Sequence, residues 1–361
     1  MVTLKKINTR INQSKWTKLY ILVACLQGIT IIALQTTIAY YNTAQVNKGL
    51  ESDAILTYDL NEDEQASITD AIERLKRIKW ENIAFVGFQL WFVCMSFDAT
   101  VYQNAAEVIT LAIMNFACAI LGALEVIDGK RWLSILTDIK LKYKIPIIVV
   151  PIQTAYYVEI ALSICVGVYA IIFAYVSYAV VREFGWIIYK KIGADISIQR
   201  MYRILQFFVL ALKIDIFIEF LVSVFYLIQF ALKSGFNSWT TIVFIVITLL
   251  ILPMLYFGRV AVASESLLQM TVFILFQLCV GFQLILIAVE ATDSEDYWYI
   301  WICFVILGLI IAAATVVLAL LCIINFNKGL KPYIQRGIEK KETLHQQNPK
   351  NSGEGWIIDE D

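Results

Sequence analysis

Eight long apolar runs, separated by polar or charged stretches, set the plan of this 361-residue chain. They lie at about Leu19–Tyr41, Glu81–Val101, Ala105–Ile127, Ile152–Val181, Ile204–Leu232, Trp239–Phe257, Leu267–Glu290 and Trp298–Phe326. Each approaches or exceeds the ~20 residues a helix needs to cross a bilayer core. None shows the ~10-residue alternation of apolar and polar positions expected of an outer-membrane barrel strand. The pattern predicts an all-α, polytopic transmembrane helical bundle of about eight spans, with seven possible if one boundary is misplaced.

The polar stretches add detail. Residues 42–79 are rich in acids, yet Ile68, Ile72, Leu75 and Ile78 recur inside them at helical spacing. Ser67 and Asp70 precede that pattern with capping-box spacing, so a short amphipathic helix is expected to lead into the second run. Only Tyr102, Gln103 and Asn104 separate the second run from the third, which predicts a tight helical hairpin. A basic connector, Asp128–Ile145, precedes Pro146 and Pro151. The stretch 182–203 reads as an amphipathic basic loop with Trp186 and Tyr189 as interfacial anchors. Gly258, Gly281, Gly308 and the Ala312–Ala314 run are candidate points of close helix approach.

Composition confirms the class and removes others. Sixty per cent of the chain is apolar and 16% charged, with mean hydropathy +0.71, whereas a soluble domain runs near 45–50% and 25%. A net charge of -1 gives no basic field, so nucleic acid is not an expected partner. The seven cysteines all sit in apolar runs without a CxxC pair, and the single histidine, His345, lies in the polar tail. Neither a zinc site nor a disulfide framework is indicated. There is no HExxH, GxSxG, P-loop or GxGxxG. The chain reads as non-enzymatic, with no cofactor and no metal.

Charge sets the expected topology. The N-terminal stretch 1–18 carries Lys5, Lys6, Arg10, Lys15 and Lys18 without an acid, and 327–361 begins with a run of Lys and Arg. The positive-inside rule places both in the cytosol, with 19–326 as the membrane domain and 327–361 largely disordered. The first apolar run is too long for a cleaved signal and reads as a retained anchor. Segment 42–79 then faces the lumen or exterior, and 182–203 the cytosol. The cationic 128–145 connector conflicts with this. It either violates the bias, or the second and third runs form a re-entrant pair, or a boundary is wrong. The even count shared by both ends favours the first.

Ionisable groups at membrane depth are costly and therefore candidates for function. Glu159 in the fourth run and Lys213, Asp215 and Glu219 in the fifth are the clearest, as a polar pathway or as helix–helix contacts. Asp215 and Glu219 are i, i+4 and share a face. Lys213 points about 200° away from Asp215, so it either reaches the interface or meets a partner such as Glu159. Asp98, Glu107 and Glu125 flank the hairpin. Gln27, Gln35, Asn115, Gln269, Gln277 and Gln283 can hydrogen-bond between helices.

One segment carries a resemblance. REFGW at 182–186, IYKKIGAD at 188–195, QRMYR at 199–203 and LKIDIFIEF at 212–220 resemble an uncharacterised fungal family of multi-spanning Golgi apparatus membrane proteins. The resemblance implies an endomembrane, Golgi location without an assigned activity, and brings no catalytic residues. The family favours a Phe-rich run after the aspartate, where this chain has IFIEF, so Glu219 gains no role from it. Read from the residues, Arg182, Lys190, Lys191, Arg200 and Arg203 form a basic surface suited to anionic lipid headgroups or a protein partner, at about 1 kcal/mol per basic residue near the surface. Two functions follow. One is a scaffold, sorting or sensor role through cytosolic loops. The other is an ion- or proton-coupled transporter or channel using the intramembrane acids, with a seven-span receptor as a minor third.

Overall fold

Each of the eight apolar runs holds a long helix in the computed structural model, which describes residues 10–50, 62–143, 147–192, 196–227, 239–293 and 299–328. In chain order the elements are α1 (Lys15–Ala44), a short π-helical turn (Gln45–Leu50), α2 (Glu62–Tyr102), α3 (Ala105–Tyr143), α4 (Val150–Ile192), α5 (Ile196–Tyr226), α6 (Trp239–Ser264), α7 (Leu267–Asp293) and α8 (Tyr299–Ile324). No strand occurs among the described residues. Seven of the helices are long and apolar enough to cross a bilayer, so the chain is an integral multi-pass membrane protein.

The helix outside that seven is α5. It has 31 residues, enough to span, but carries Lys213, Asp215 and Glu219 in its middle. It nevertheless runs beside the whole of α8. Its early residues Met201 and Leu205 share a small cavity with Val262 near the end of α6 and Cys322 near the end of α8. Its late residues Leu221 and Phe225 meet Ala84 of α2 and Trp301 and Phe304 at the start of α8. Contacts at the bundle's ends show the same up-and-down order. Gln103 Nε2 donates to Gln13 Oε1 at 2.8 Å, and the Asn327 N–H donates to Glu265 Oε2 at 3.2 Å. One face thus gathers the residues before α1, the α2–α3 turn, the start of α5, the α6–α7 turn and the residues after α8. Eight traversals produce this arrangement.

The eight helices divide into two sets of four. Helices α1–α4 form a ring in which each packs on its sequence neighbours and α1 closes on α4. Helices α5–α8 form a second ring with the same order. Four helices per ring leave both rings starting on the same face, the relation of a parallel rather than an inverted repeat. The turns between second and third helices match as well. Gln103 (φ 54°) and Glu265 (φ 52°) both adopt the left-handed conformation. The Asn104 N–H bonds to Ala99 O at 2.9 Å, and the Ser266 N–H to Ala261 O at 3.2 Å. With the Gln103 N–H bonded to Thr100 O and the Glu265 N–H to Val262 O, both at 3.3 Å, each turn holds the pair of reverse bonds that closes a helix C-terminus.

Polar groups knit the first ring. Gln27 Nε2 donates to Asn115 Oδ1 at 2.7 Å, and Asn115 Nδ2 returns a bond to Gln27 Oε1 at 2.9 Å. Gln35 Nε2 donates to Glu125 Oε2 at 3.2 Å. Of the small residues, Gly258 fits the expected close approach, since a Cβ there would lie 2.8 Å from the Phe273 ring. Gly281 does not, with nothing within 4 Å.

Helices α2, α3 and α4, of 41, 39 and 43 residues, each exceed what a ~30 Å hydrocarbon core requires at ~1.5 Å per residue. Two expected loops are these overhangs. The basic connector 128–145 is the continuation of α3 as far as Tyr143; residues 144–146 lie outside the described set. It packs against the start of α2, where Ile68, Leu75 and Ile78 form a separate core with Trp132 and Leu136. The expected amphipathic helix is therefore real, but it begins at Glu62, so Ser67 lies inside it and not at a cap. Because α2 and α3 both traverse the bundle, no re-entrant pair forms, and 128–143 shares the face of 62–80. Likewise 182–203 is not a loop: α4 continues through Ile192 and α5 begins at Ile196. Most of the tails, 1–9 and 329–361, lie outside the described residues, as does the disorder expected there.

Candidate functional site

The ionisable residues of α5 point two ways, as their spacing requires. Asp215 and Glu219 face the second ring. Thr315 Oγ1 of α8 donates to Asp215 Oδ2 at 2.6 Å, and Gln277 of α7 donates to Glu219 Oε1. Both carboxylates are fully buried, and Asp215 Oδ1 and Glu219 Oε2 have no hydrogen-bond partner. Lys213 faces the first ring. Its ammonium bonds both Asp98 of α2 and Glu107 of α3, which flank the α2–α3 turn. Its partner is therefore this pair and not Glu159.

Glu159 lies elsewhere, toward the opposite face. It is buried on α4 and points at Gly129 of α3, where a Cβ would sit 2.0 Å from its Oε2. Glu81, Glu125 and Asp128 are within electrostatic reach of it. Arg74 of α2 bonds Asp128 and lies 3.6 Å from Glu81 Oε1. Removing charges from water is offset only by pairing, and here one guanidinium bridges acids on α2 and α3. The transport candidates thus separate into three places: Glu159 in this outer cluster, Asp215 with Glu219 inside the second ring, and Lys213 at the junction of the rings. They do not converge on one pathway.

What the structure does bring together lies along the junction. A cavity of about 350 Å³ opens beside the Lys213 triad, lined also by Tyr102, Tyr202, Gln206 and Arg259. Asp98 and Glu107 balance Lys213 and Arg259 there, two acids against two bases. Further along the same α3–α5 seam lies a second cavity of about 230 Å³. Its walls are apolar: Phe88 of α2, Met114 and Leu121 of α3, Phe217 of α5, Leu307 and Ile311 of α8. Its rim at Ile113 is exposed on the surface. Thr110 of this chamber stands one turn from Glu107 of the polar vestibule, and Phe217 one turn from Lys213. The two cavities are consecutive segments of one seam, polar at one end and apolar beyond. At the chamber's wall the rings touch through aromatic contacts, Trp91 stacked on Phe217 at 5.5 Å and Phe85 against Phe304 at 6.3 Å.

The basic candidates are only partly visible. Arg182, Arg200 and Arg203 are exposed on the face that carries the vestibule, and Arg182 lies over the Tyr178 ring at 6.0 Å. The side chains of Lys190 and Lys191 fall outside the described residues. Among the described residues, no group of three or more His, Cys, Asp and Glu is placed to hold a metal ion.

In the sequence Asp98, Glu107 and Glu125 stand out only as acids flanking the hairpin, and nothing there assigns a part to Arg74, Asp128, Gly129 or Arg259. A signal existed for Asp98 and Glu107. A two-residue turn folds the chain back, so residues five before and four after Gln103 lie at one level on adjacent helices. Arg259 is the lone cation of α6, which by cost alone makes it a candidate.

The chain is 28% identical over 180 residues to a UPF0658 Golgi apparatus membrane protein of Schizosaccharomyces pombe, a stretch covering 48% of this chain and 50% of that protein. The chain thus matches about half the length of this curated relative. No family model and no solved structure matches.

Proposed function

We propose that this is a Golgi membrane protein that holds an amphipathic membrane molecule in the seam between its two four-helix rings. One observation carries the reading: an apolar chamber with an exposed rim leads, within a turn of helix, into a polar vestibule. Sites between repeated halves are a common plan in membrane carriers. Apolar pockets with a few convergent polar groups are the usual form of small-molecule sites. The bound molecule's tail occupies the chamber between Phe88, Met114 and Phe217, and its polar end reaches the vestibule. The role is non-enzymatic. The Golgi location is supported by the S. pombe relative. The excess of Lys and Arg before α1 and after α8 supports placing the vestibule face in the cytosol.

The test is lipid retention. Native mass spectrometry of the full chain released from detergent should show a bound lipid. Ala117→Phe, which fills the chamber, should abolish that adduct while leaving the melting profile intact. Lipid-free wild-type protein, or an adduct unchanged by the substitution, sinks the proposal.

A second reading, contact with a partner or lipid surface through the basic segment, is favoured by the exposure of Arg182, Arg200 and Arg203. Replacing all three with Gln should then displace a tagged protein from its compartment. Unaltered imaging against a Golgi marker removes this reading.

A further inference from the structure

We infer that the molecule held in this seam is a zwitterionic phospholipid, one whose headgroup joins a phosphodiester to an ammonium group. This rests on the lipid-holding reading above and goes beyond it by naming the headgroup. The vestibule is electrically balanced, with Asp98 and Glu107 against Lys213 and Arg259. A headgroup of net charge would unbalance it in a site flanked by low-dielectric walls, where interactions between charges are stronger than in water.

The four charges are not equally available. The Lys213 ammonium is committed to both carboxylates, and Glu107 is buried. Asp98 keeps a third of its side-chain surface exposed, 35%. Arg259 is exposed and has no ion pair among the described residues. So the vestibule offers one accessible carboxylate and one accessible guanidinium. A guanidinium fork suits phosphate oxygens. The ammonium group has its counterpart in Asp98, beside which stand two tyrosines, Tyr102 and Tyr202. Aromatic faces attract ammonium groups, quaternary ones included.

The geometry beyond the vestibule completes the match. From Thr110 to Leu121 the apolar wall of α3 covers 12 residues, about 16 Å of helix. A free headgroup has no use for that wall, and a fatty acid leaves Arg259 and Asp98 to opposite demands. A phosphatidic acid would satisfy Arg259 and crowd Asp98 with like charge.

The full chain, reconstituted into nanodiscs, is photolysed with phosphatidylcholine or phosphatidic acid carrying the same photoreactive acyl chain. Adducts are then mapped by peptide mass spectrometry. Phosphatidylcholine should label residues 110–121 or 214–218 at least about fivefold more than phosphatidic acid, the ratio a single well-placed charge contact gives. Arg259→Gln and Tyr102→Leu are exposed changes that should retain wild-type melting and each lower phosphatidylcholine labelling by about threefold. Equal or stronger labelling by phosphatidic acid overturns the headgroup assignment and leaves the lipid site standing. So does undiminished phosphatidylcholine labelling in Arg259→Gln. Absence of seam adducts with either lipid overturns the lipid-holding reading itself.

Discussion

Single side chains set the limits on what the core of the first ring tolerates. The Gln27–Asn115 pair exchanges two bonds within the buried centre, and Gln27 also reaches Gln89 Oε1 at 3.4 Å. Replacing Gln27 with Leu strands the Asn115 amide, and an unpaired buried group costs about 1–3 kcal/mol. Couplings measured between helices in membranes are smaller, averaging about 0.6 kcal/mol, because the unfolded chain also finds partners. We therefore expect Gln27→Leu and Asn115→Leu each to lower stability by about 1 kcal/mol and the double variant to recover part of the loss. Denaturant titration of all four proteins in one detergent measures the coupling, and strict additivity would show that the pair is not interacting. Gly129 sets a steric limit. Alanine there would place a methyl 2.0 Å from Glu159 Oε2, so the carboxylate must leave its place near Glu125 and Asp128. The clashing atoms are the far end of a flexible side chain that can turn aside, so Gly129→Ala should destabilise by only about 0.5–1 kcal/mol. Shortening the opposing side chain, in Gly129→Ala with Glu159→Ser, should be milder than the single change. An equal melting temperature for Gly129→Ala and wild type would mean that the glycine gives no needed room.

Helices were far more legible than the ends of helices. Apolar runs locate spans because lipid leaves the backbone no partner but itself, and that constraint holds irrespective of which side chains face where. It says nothing about where a helix stops outside the lipid. Residues 128–143 and 182–192 look like basic loops by charge, yet each continues the helix before it, because water tolerates a polar helix as well as a polar loop. The second core, with Trp132 and Leu136 against Ile68 and Leu75, shows what that continuation buries. The site was less legible still. Spacing on α5 predicted that Lys213 and Asp215 face opposite ways, which they do. It had no means of naming Asp98 and Glu107 as partners, since that depends on how one ring is placed against the other. Eight traversals lead to a direct check on topology. A cysteine replacing the exposed Tyr102 and one replacing Glu265, in a background lacking the native seven cysteines, should react with an impermeant maleimide from one side of sealed vesicles. A cysteine replacing Lys130 should react only from the other. Labelling of positions 102 and 265 from opposite sides would reduce the count to an odd number between them.

At the scale of the molecule, the two rings are each well packed and their junction is sparse. Lys213 is the side chain that ties them by charge, reaching from the second ring to acids on two helices of the first. The aromatic contacts Trp91–Phe217 and Phe85–Phe304 supply the apolar part of the joint. A sparse joint around an open seam is what a protein that admits a lipid between halves requires, and it makes the charged tie disproportionately important. Removing one member of a buried pair costs about 3–5 kcal/mol because the partner is left uncompensated. Asp98 is partly in contact with water, so the lower end of that range, about 3 kcal/mol, is expected for Lys213→Met. Lys213→Arg keeps the charge and should keep most of the stability. The two readings of the residue separate under limited proteolysis of full-length protein in nanodiscs. If Lys213 ties the rings, Lys213→Met should cut faster between α4 and α5 with the fragments dissociating, and Lys213→Arg should resemble wild type. If the lysine serves only the local fold of the α2–α3 turn, cleavage will move to that turn, and the fragments will stay together.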